Sequence, residues 1–327
     1  MTLGARRRFA CNAIGLSTRT LERWQKSPGG TDLRKGPKNH PRKFRKEEVD
    51  KVLSVANSVE FCDSPPCQIV PILSDRNEYV GSESSFYRIL RRHNLLHHRH
   101  RSRKPRKAPA YTKIPTDVKK PNDAWTWDIT LLNSPIRGQY YYLYMFEDVY
   151  SRKIVGWEVH DRQNDYLSSS LFKKICLKEN TKVPARLHSD NGGPMRGWTM
   201  LATLQRLGVV PSFSRPCVKN DNPHIESLFK TMKYGSTFPK RPFESIEAAR
   251  MWVENFTSWY NNRRRHSGLN YVTPQERHDG RDQAIQEKRT QLYERAQMMN
   301  PCRWTKSPRN WMSIKLPRLL TSSMCAA

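Results

Sequence analysis

Long apolar runs are missing from this 327-residue sequence. No stretch of about 18 consecutive apolar residues occurs, so the sequence offers no membrane-spanning helix. The first residues, Met1 to Arg8, are basic but lead into a helix-like segment rather than the apolar stretch of a signal peptide, and a soluble, unexported protein is expected. Paired cysteines are also lacking. The seven cysteines (Cys11, Cys62, Cys67, Cys176, Cys217, Cys302, Cys325) are scattered, odd in number and never in a CxxC pair, which argues against a disulfide framework and for a reducing compartment. Cys62 and Cys67, taken with the histidines from His93 to His100, fit no common zinc-ligand spacing well. Acidic residues are the third shortage: 30 Asp and Glu face 58 Lys and Arg, a net charge of +28. An imbalance of that size points to a polyanionic partner.

The charge is unevenly spread. Residues 91–120 alone carry +10 and residues 1–50 carry +8, whereas 121–280 carry only +6. At roughly 100 to 200 residues per domain, the length implies two or three units, and 36% hydrophobic residues suffice for at least one sizeable core.

Within 1–28, Phe9 to Ile14 and Thr18 to Lys26 read as two short helices around the turn Gly15-Leu16-Ser17, with Ser17 as the cap of the second. The pattern is that of a helix-turn-helix, in which Arg19, Arg23 and Gln25 would face DNA and Leu21 and Trp24 the core. Gly29 to Pro41 reads as a linker. A second helical unit, 45–93, has helices at Lys46 to Asn57, from Pro65-Pro66 through Leu73, and at Ser82 to His93, again suggesting a helix-turn-helix or winged variant. Residues 94–120 are a basic, proline-punctuated strip expected to be an extended, phosphate-contacting linker without a core.

From Asp123 the texture becomes strand-like. Trp125, Trp127, Ile129 and Leu131 alternate with Thr126, Asp128 and Thr130, a period of two that sets Asp128 on the opposite face from the tryptophans. Tyr140 to Phe146 and Lys153 to Val159 continue an antiparallel meander, joined by a tight turn near Ser151. A helix (165–178), a strand (185–189), a helix (197–207), a strand (209–213) and two helices (220–234 and 245–262) follow. This order predicts an α/β ribonuclease H-like domain over 121–280, a mixed five-stranded sheet flanked by helices, preceded by all-α helix-turn-helix units.

Acids that strand ends could bring together are few. Asp128 lies on the polar face of the first strand, Asp190 ends the fourth in Leu187-His188-Ser189-Asp190-Asn191-Gly192, and Glu226 falls in the helix beginning near Asn220. Intervening residues number 61 and 35. An Asp inside an apolar strand is costly unless a cation compensates it, and three hard oxygen donors suit magnesium or manganese. On the Glu226 helix, Ile225, Leu228, Phe229 and Met232 form the core face, while Lys230 and Lys233 stack beside Glu226, either as a solvated salt bridge or as phosphate-gripping groups. Asp148 and Asp161 are rival acids near strand ends. Asn220 and Asn222 could cap the Glu226 helix, His188 could support the site or simply pack, and Arg263 to His266 could bind DNA or solvate a helix end.

Over about Trp125 to Arg277 the sequence resembles the DDE transposases of bacterial insertion sequences of the insertion-sequence-three type, which share a catalytic core with retroviral integrases. The resemblance rests on WTWDIT (125–130), LHSDNG (187–192), SRPCVKNDNPHIESLFKTMK (214–233) and YNNRRRHSGLNYVTP (260–274), together with the 35-residue spacing. It implies that Asp128, Asp190 and Glu226 are catalytic and bind two Mg²⁺ or Mn²⁺ ions, and that Lys233 is the basic residue the family places after its Glu. It further implies 3′-end cleavage and strand transfer on double-stranded DNA, the element's terminal repeats and a target, by a homo-oligomer near the bacterial nucleoid, without membrane association. Arg19, Arg23, Lys230, Lys233, Arg263, Arg264 and Arg265 are the expected DNA contacts. A nuclease that only hydrolyses, or a DNA-binding protein with an inactive ribonuclease H-like domain, are the competing readings. The tail, 281–327, reads as helical to about Met299; beyond it, Trp304 and Trp311 could form a small DNA-binding module or dock on the core.

Overall fold

A computed structural model describes residues 6–26, 43–96, 115–178, 183–214, 221–235, 237–312 and 318–320. The chain divides into two compact units, 1–44 and 45–327. In the first, helices α1 (Arg7–Ala13) and α2 (Thr18–Lys26) are joined by a turn in which Gly15 adopts φ 68° and the Ser17 hydroxyl accepts from the Thr20 amide at 3.1 Å. Arg19 and Arg23 are exposed, as expected. Trp24 keeps 50% of its surface exposed, against the expectation that it faces a core; of the two helices' residues, only Cys11 is buried. The linker expected at Gly29 to Pro41 and most of the basic strip, residues 97–114, lie outside the described residues.

The second unit begins with α3 (Lys46–Ala56), α4 (Pro66–Asp75) and α5 (Glu83–Arg92). Their apolar faces meet through Val52, Ile69, Leu73, Phe86, Ile89 and Leu90, all buried. Proline at the first position of α4 needs no amide partner there, and the Ser82 hydroxyl accepts from the Ser85 amide to start α5. A short strand β1 (Pro115–Asp117) follows, then β2 (Ala124–Asn133), β3 (Tyr140–Asp148) and β4 (Ile154–His160), antiparallel in turn. Val118, inside the strip expected to lack a core, is buried with Ala124 and Val149, so packing against the sheet begins before residue 121.

Helix α6 (Asp165–Lys178) crosses to β5 (Arg186–Ser189), and α7 (Gly193–Arg196) and α8 (Trp198–Arg206) cross to β6 (Val210–Phe213). The sheet order is β4-β3-β2-β5-β6, with β5 and β6 parallel to β2. This is the ribonuclease H-like topology, in which each face of the sheet needs a helical cover. Trp125, Trp127, Tyr144 and Phe146 pack under α6 and α8 through Leu171, Phe172, Ile175 and Leu204. On the other face, Leu132, Leu143 and Met145 pack against α9 (Pro223–Lys233) and α10 (Ile246–Asn262) through Ile225, Leu228, Phe229, Val253 and Phe256. The alternation read from Trp125 to Thr130 thus separates two cores rather than core from solvent.

The chain ends in α11 (Pro274–His278), capped reciprocally by Thr273 and Glu276, then α12 (Asp282–Met299) and β7 (Arg318–Leu320), which pairs with β1. The fully buried Trp311 lies edge-on to Tyr293 of α12, ring centroids 5.5 Å apart, and Trp304 stacks on Tyr79 at 5.8 Å. The tail therefore docks.

Candidate active site

Backbone register places the two aspartates together. Strands β2 and β5 run parallel, with Thr126 opposite His188. Two residues further along each chain stand Asp128 and Asp190, on neighbouring strand paths spaced about 4.8 Å apart and with side chains on one face. That face is the one α9 covers. The Asp190 carboxylate accepts from the Gly192 amide at 3.1 Å, and the Asp128 carboxylate from the Ile129 amide at 2.7 Å.

Glu226 is delivered by the start of α9. Asn222 caps this helix without the usual side-chain cap bond. Its side-chain oxygen accepts instead from the Thr126 hydroxyl, and its amide donates to the Trp127 carbonyl at 3.3 Å. Glu226 follows one turn later, half-buried, with Lys230 3.8 Å away and exposed. His188 supports the same corner: the Asp221 carbonyl, 3.2 Å from Nε2, can only accept, so Nε2 carries the proton and Nδ1 accepts from the Ser212 hydroxyl at 2.9 Å. Burial lowers its pKa, which suits this neutral form.

Electrostatics register the convergence. Burial, then the neighbouring Asp190 and, more weakly, Glu226 push the Asp128 carboxyl up to about 7, against an opposing hydrogen bond from Ile129 and the charge of Lys233. Burial raises Glu226, with Lys230 opposing, and burial lowers Lys233, with Asp128 opposing. Three mutually repelling carboxylates with two lysines nearby are short of positive charge. Among the described residues, no three His, Cys, Asp or Glu side chains close into a ready-made metal cage. Oxygen donors alone fit a hard divalent ion better than zinc.

The rival acids have other surroundings. Asp148 is fully buried and accepts from the Asn122 amide and from the amide and hydroxyl of Ser151, a turn-forming role. Asp161 lies with Glu244 and Tyr140 at a separate surface recess of about 540 Å³.

The YNNRRRHSGLNYVTP segment faces inward more than its charge implies. Tyr260 is core, and Asn261 both accepts from the Ile154 amide and donates to its carbonyl, latching α10 to β4. Arg263 is exposed. Arg264 lies over the rings of Trp259 and Tyr260, 5.7 and 5.6 Å from their centroids. Arg265 pairs with Asp75 and Glu276, each at 2.9 Å. His266 caps a short turn, accepting from the Gly268 amide, and burial holds its pKa at about 3. The cross-links of Asn222 and Asn261 had no sequence signal, since an amide side chain reads alike as cap, turn or latch.

The integrase core domain profile matches residues 118–217, and a second integrase core profile matches 207–274. Together the two matches cover residues 118–274. Across 157 residues, the chain is 34% identical to the transposase for insertion sequence element IS904 of Lactococcus lactis, covering 48% of this chain and 61% of that relative. It is 28% identical to transposase InsF for insertion sequence IS3A of Escherichia coli, covering 48% of this chain and 54% of InsF. The match thus spans a little over half the length of these relatives. Among solved structures, the simian T-cell lymphotropic virus intasome aligns with TM-score 0.42 and 16% identity, over 61% of this chain and 67% of that one. The HTLV-2 integrase catalytic core domain in complex with magnesium aligns with TM-score 0.38 and 15% identity, over 49% and 97%. Among the described residues, no helix is long and apolar enough to cross a membrane.

Proposed function

We propose that the chain is an insertion-sequence transposase that binds the ends of its element, cuts DNA at 3′ ends and joins them to target DNA, acting as a homo-oligomer on paired ends. The observation that carries this reading is the shared register of Asp128 and Asp190 beside Glu226, inside a span that matches transposases. In this reading Asp128, Asp190 and Glu226 hold two Mg²⁺ or Mn²⁺ ions. Such ions, when bound, activate a water or a DNA 3′-hydroxyl and stabilise the departing 3′-oxygen.

The protein's own groups do the rest. Lys230 and Lys233 offset phosphate charge next to Glu226. Asn222 and His188 hold the start of α9 against β2 and β5, so that Glu226 keeps its place when DNA pulls on the lysines. Arg19, Arg23 and Arg263, exposed and cationic, are proposed backbone contacts. Arg264 and Arg265, engaged within the protein, are assigned to holding the 260–274 segment in place.

The test uses labelled duplexes made from the DNA flanking the coding sequence on either side. Asp190→Asn is expected to abolish Mg²⁺-dependent cutting and joining while a gel shift retains binding, and a chelator should do the same to the wild type. Mn²⁺ should raise the melting temperature of the wild type but not of the variant. Undiminished strand transfer by Asp190→Asn would sink the assignment, and cutting without joining would favour the hydrolytic nuclease.

A further inference from the structure

The C-terminal segment links the helical unit α3–α5 to the catalytic sheet through a continuous set of side-chain contacts, with a buried arginine at its centre. From the sheet, the Asp148 turn reaches α11, where His278 Nδ1 lies 3.0 Å from the Ser151 hydroxyl and Arg277 stacks on Tyr150 at 4.1 Å. Arg277 pairs with Asp282, joining α11 to α12. Halfway along α12, Arg289 is fully buried. It donates to both carboxylate oxygens of Asp75, the last residue of α4, at 2.6 and 2.9 Å, and to the carbonyls of Asn270 and Tyr271 at 2.8 and 3.0 Å. Arg265 grips the same Asp75 from the integrase core. Arg303 then holds both oxygens of Glu48 on α3, and Arg309 holds Glu83 on α5.

Every helix of the α3–α5 unit is thus tied to the segment after the core. A buried arginine sharing one carboxylate with a second arginine is costly to break, because either partner would be left charged and desolvated. The exposed side of α5 carries Arg88, Arg91 and Arg92, at i, i+3 and i+4, while Phe86, Ile89 and Leu90 are buried. That spacing makes one basic stripe suited to a DNA backbone.

We propose that residues 282–311 form a positioning clasp, centred on Asp75, Arg265 and Arg289, that fixes the α5 basic stripe at a set distance from the catalytic acids, so that DNA held by α5 is cut at one position. The proposal rests on the transposase reading. Asp75, Arg265 and Arg289 act through other groups and touch no DNA. A loosely tethered DNA-binding unit would instead leave the cut site free to wander by the play of its linker.

The experiment uses the full-length protein and the same flanking-DNA duplexes, with cut positions read at single-nucleotide resolution. For Asp75→Asn, gel-shift affinity is expected to stay within about twofold of the wild type, while the single cut spreads over several neighbouring positions and the rate at the main one falls about tenfold. Glu48→Gln combined with Glu83→Gln loosens the clasp at half-exposed positions, leaves no buried arginine unpaired and should spread the cuts less. Spin labels on unnatural residues at exposed positions 51 and 166 report the geometry independently of DNA: one narrow distance distribution in the wild type, a broad one in both variants. A single sharp cut at the wild-type position together with an unbroadened distribution would overturn the clasp. If the wild type binds but cuts no flanking DNA, the transposase reading fails, and the label distances still decide whether the clasp exists.

Discussion

The Thr126 hydroxyl donates to the side chain of Asn222, a hydrogen bond between strand β2 and the residue that caps α9, spanning 96 positions of sequence. Thr126 lies two residues before Asp128 on the same face, and Asn222 lies one helical turn before Glu226. The bond therefore sets how far one proposed metal-binding acid stands from another.

Asn222→Ala removes this tie and leaves the Thr126 hydroxyl, fully buried, without its partner. A displacement of about 1 Å at a reacting centre can cost roughly a hundredfold in rate. Cleavage on the flanking-DNA duplexes is expected to fall between about tenfold and a hundredfold, with gel-shift affinity unchanged and the optimum concentration of Mn²⁺ raised. Unaltered rate and metal dependence would show that α9 is held by its apolar face alone.

Glu147 supplies a pH signature away from the site. It pairs across the sheet with Thr126, is fully buried, and its Oε2 has no hydrogen-bond partner among the described residues. Burial, with a smaller push from Asp148 and against the pull of Arg152, raises its carboxyl to about 8. Between its unfolded value near 4.3 and about 8, the folded chain keeps a proton that the unfolded chain has released. Stability should therefore fall as pH rises through that window, with the full penalty above it. Glu147→Gln, a neutral amide of similar shape, is expected to melt above the wild type at alkaline pH, with the two melting curves converging below about pH 4. A constant difference across the range would remove Glu147 as the titrating group.

Trp311 tests whether the tail is structural. It is fully buried among Tyr293, Arg289 and Arg309, and its indole nitrogen has no hydrogen-bond partner among the described residues. Trp311→Ala should cost about 3 to 5 kcal/mol in urea unfolding. Trp311→Phe keeps an aromatic face for both arginines and discards an unsatisfied donor, so its loss should be less than half of that. Equal unfolding midpoints for the wild type and the alanine variant would mean that the tail adds nothing to the fold.

Much of the catalytic fold was legible because its signals are local. Period-two alternation marks β2, the apolar spacing of Ile225, Leu228, Phe229 and Met232 marks α9, and the Ser17 cap marks the start of α2; each depends on residues a few positions apart. The observed bounds of α2 and α6 coincide with the expected ones, and most others differ by one to three residues. The three candidate acids stood out as well, since motif and spacing sit in one stretch of chain. The polar face of β2 borders a second core, which the pattern did not reveal, because alternation separates the two sides of a strand without saying what covers either.

What the sequence by itself determined is the identity of the elements, the spacing of the three candidate acids and the overall excess of positive charge. Only the tertiary structure decided what the charges do. Arg263, Arg264 and Arg265 are indistinguishable as letters, yet one is exposed, one lies on aromatic rings and one shares Asp75 with Arg289. The Asp75–Arg289 pair joins residues 214 positions apart, and no local pattern encodes such a contact, because its partners meet only after the helices on either side of the core have packed. The scarce acids of the opening composition thus take on a sharper meaning: three of them, Glu48, Asp75 and Glu83, hold the arginines that tie α3–α5 to the segment after residue 281.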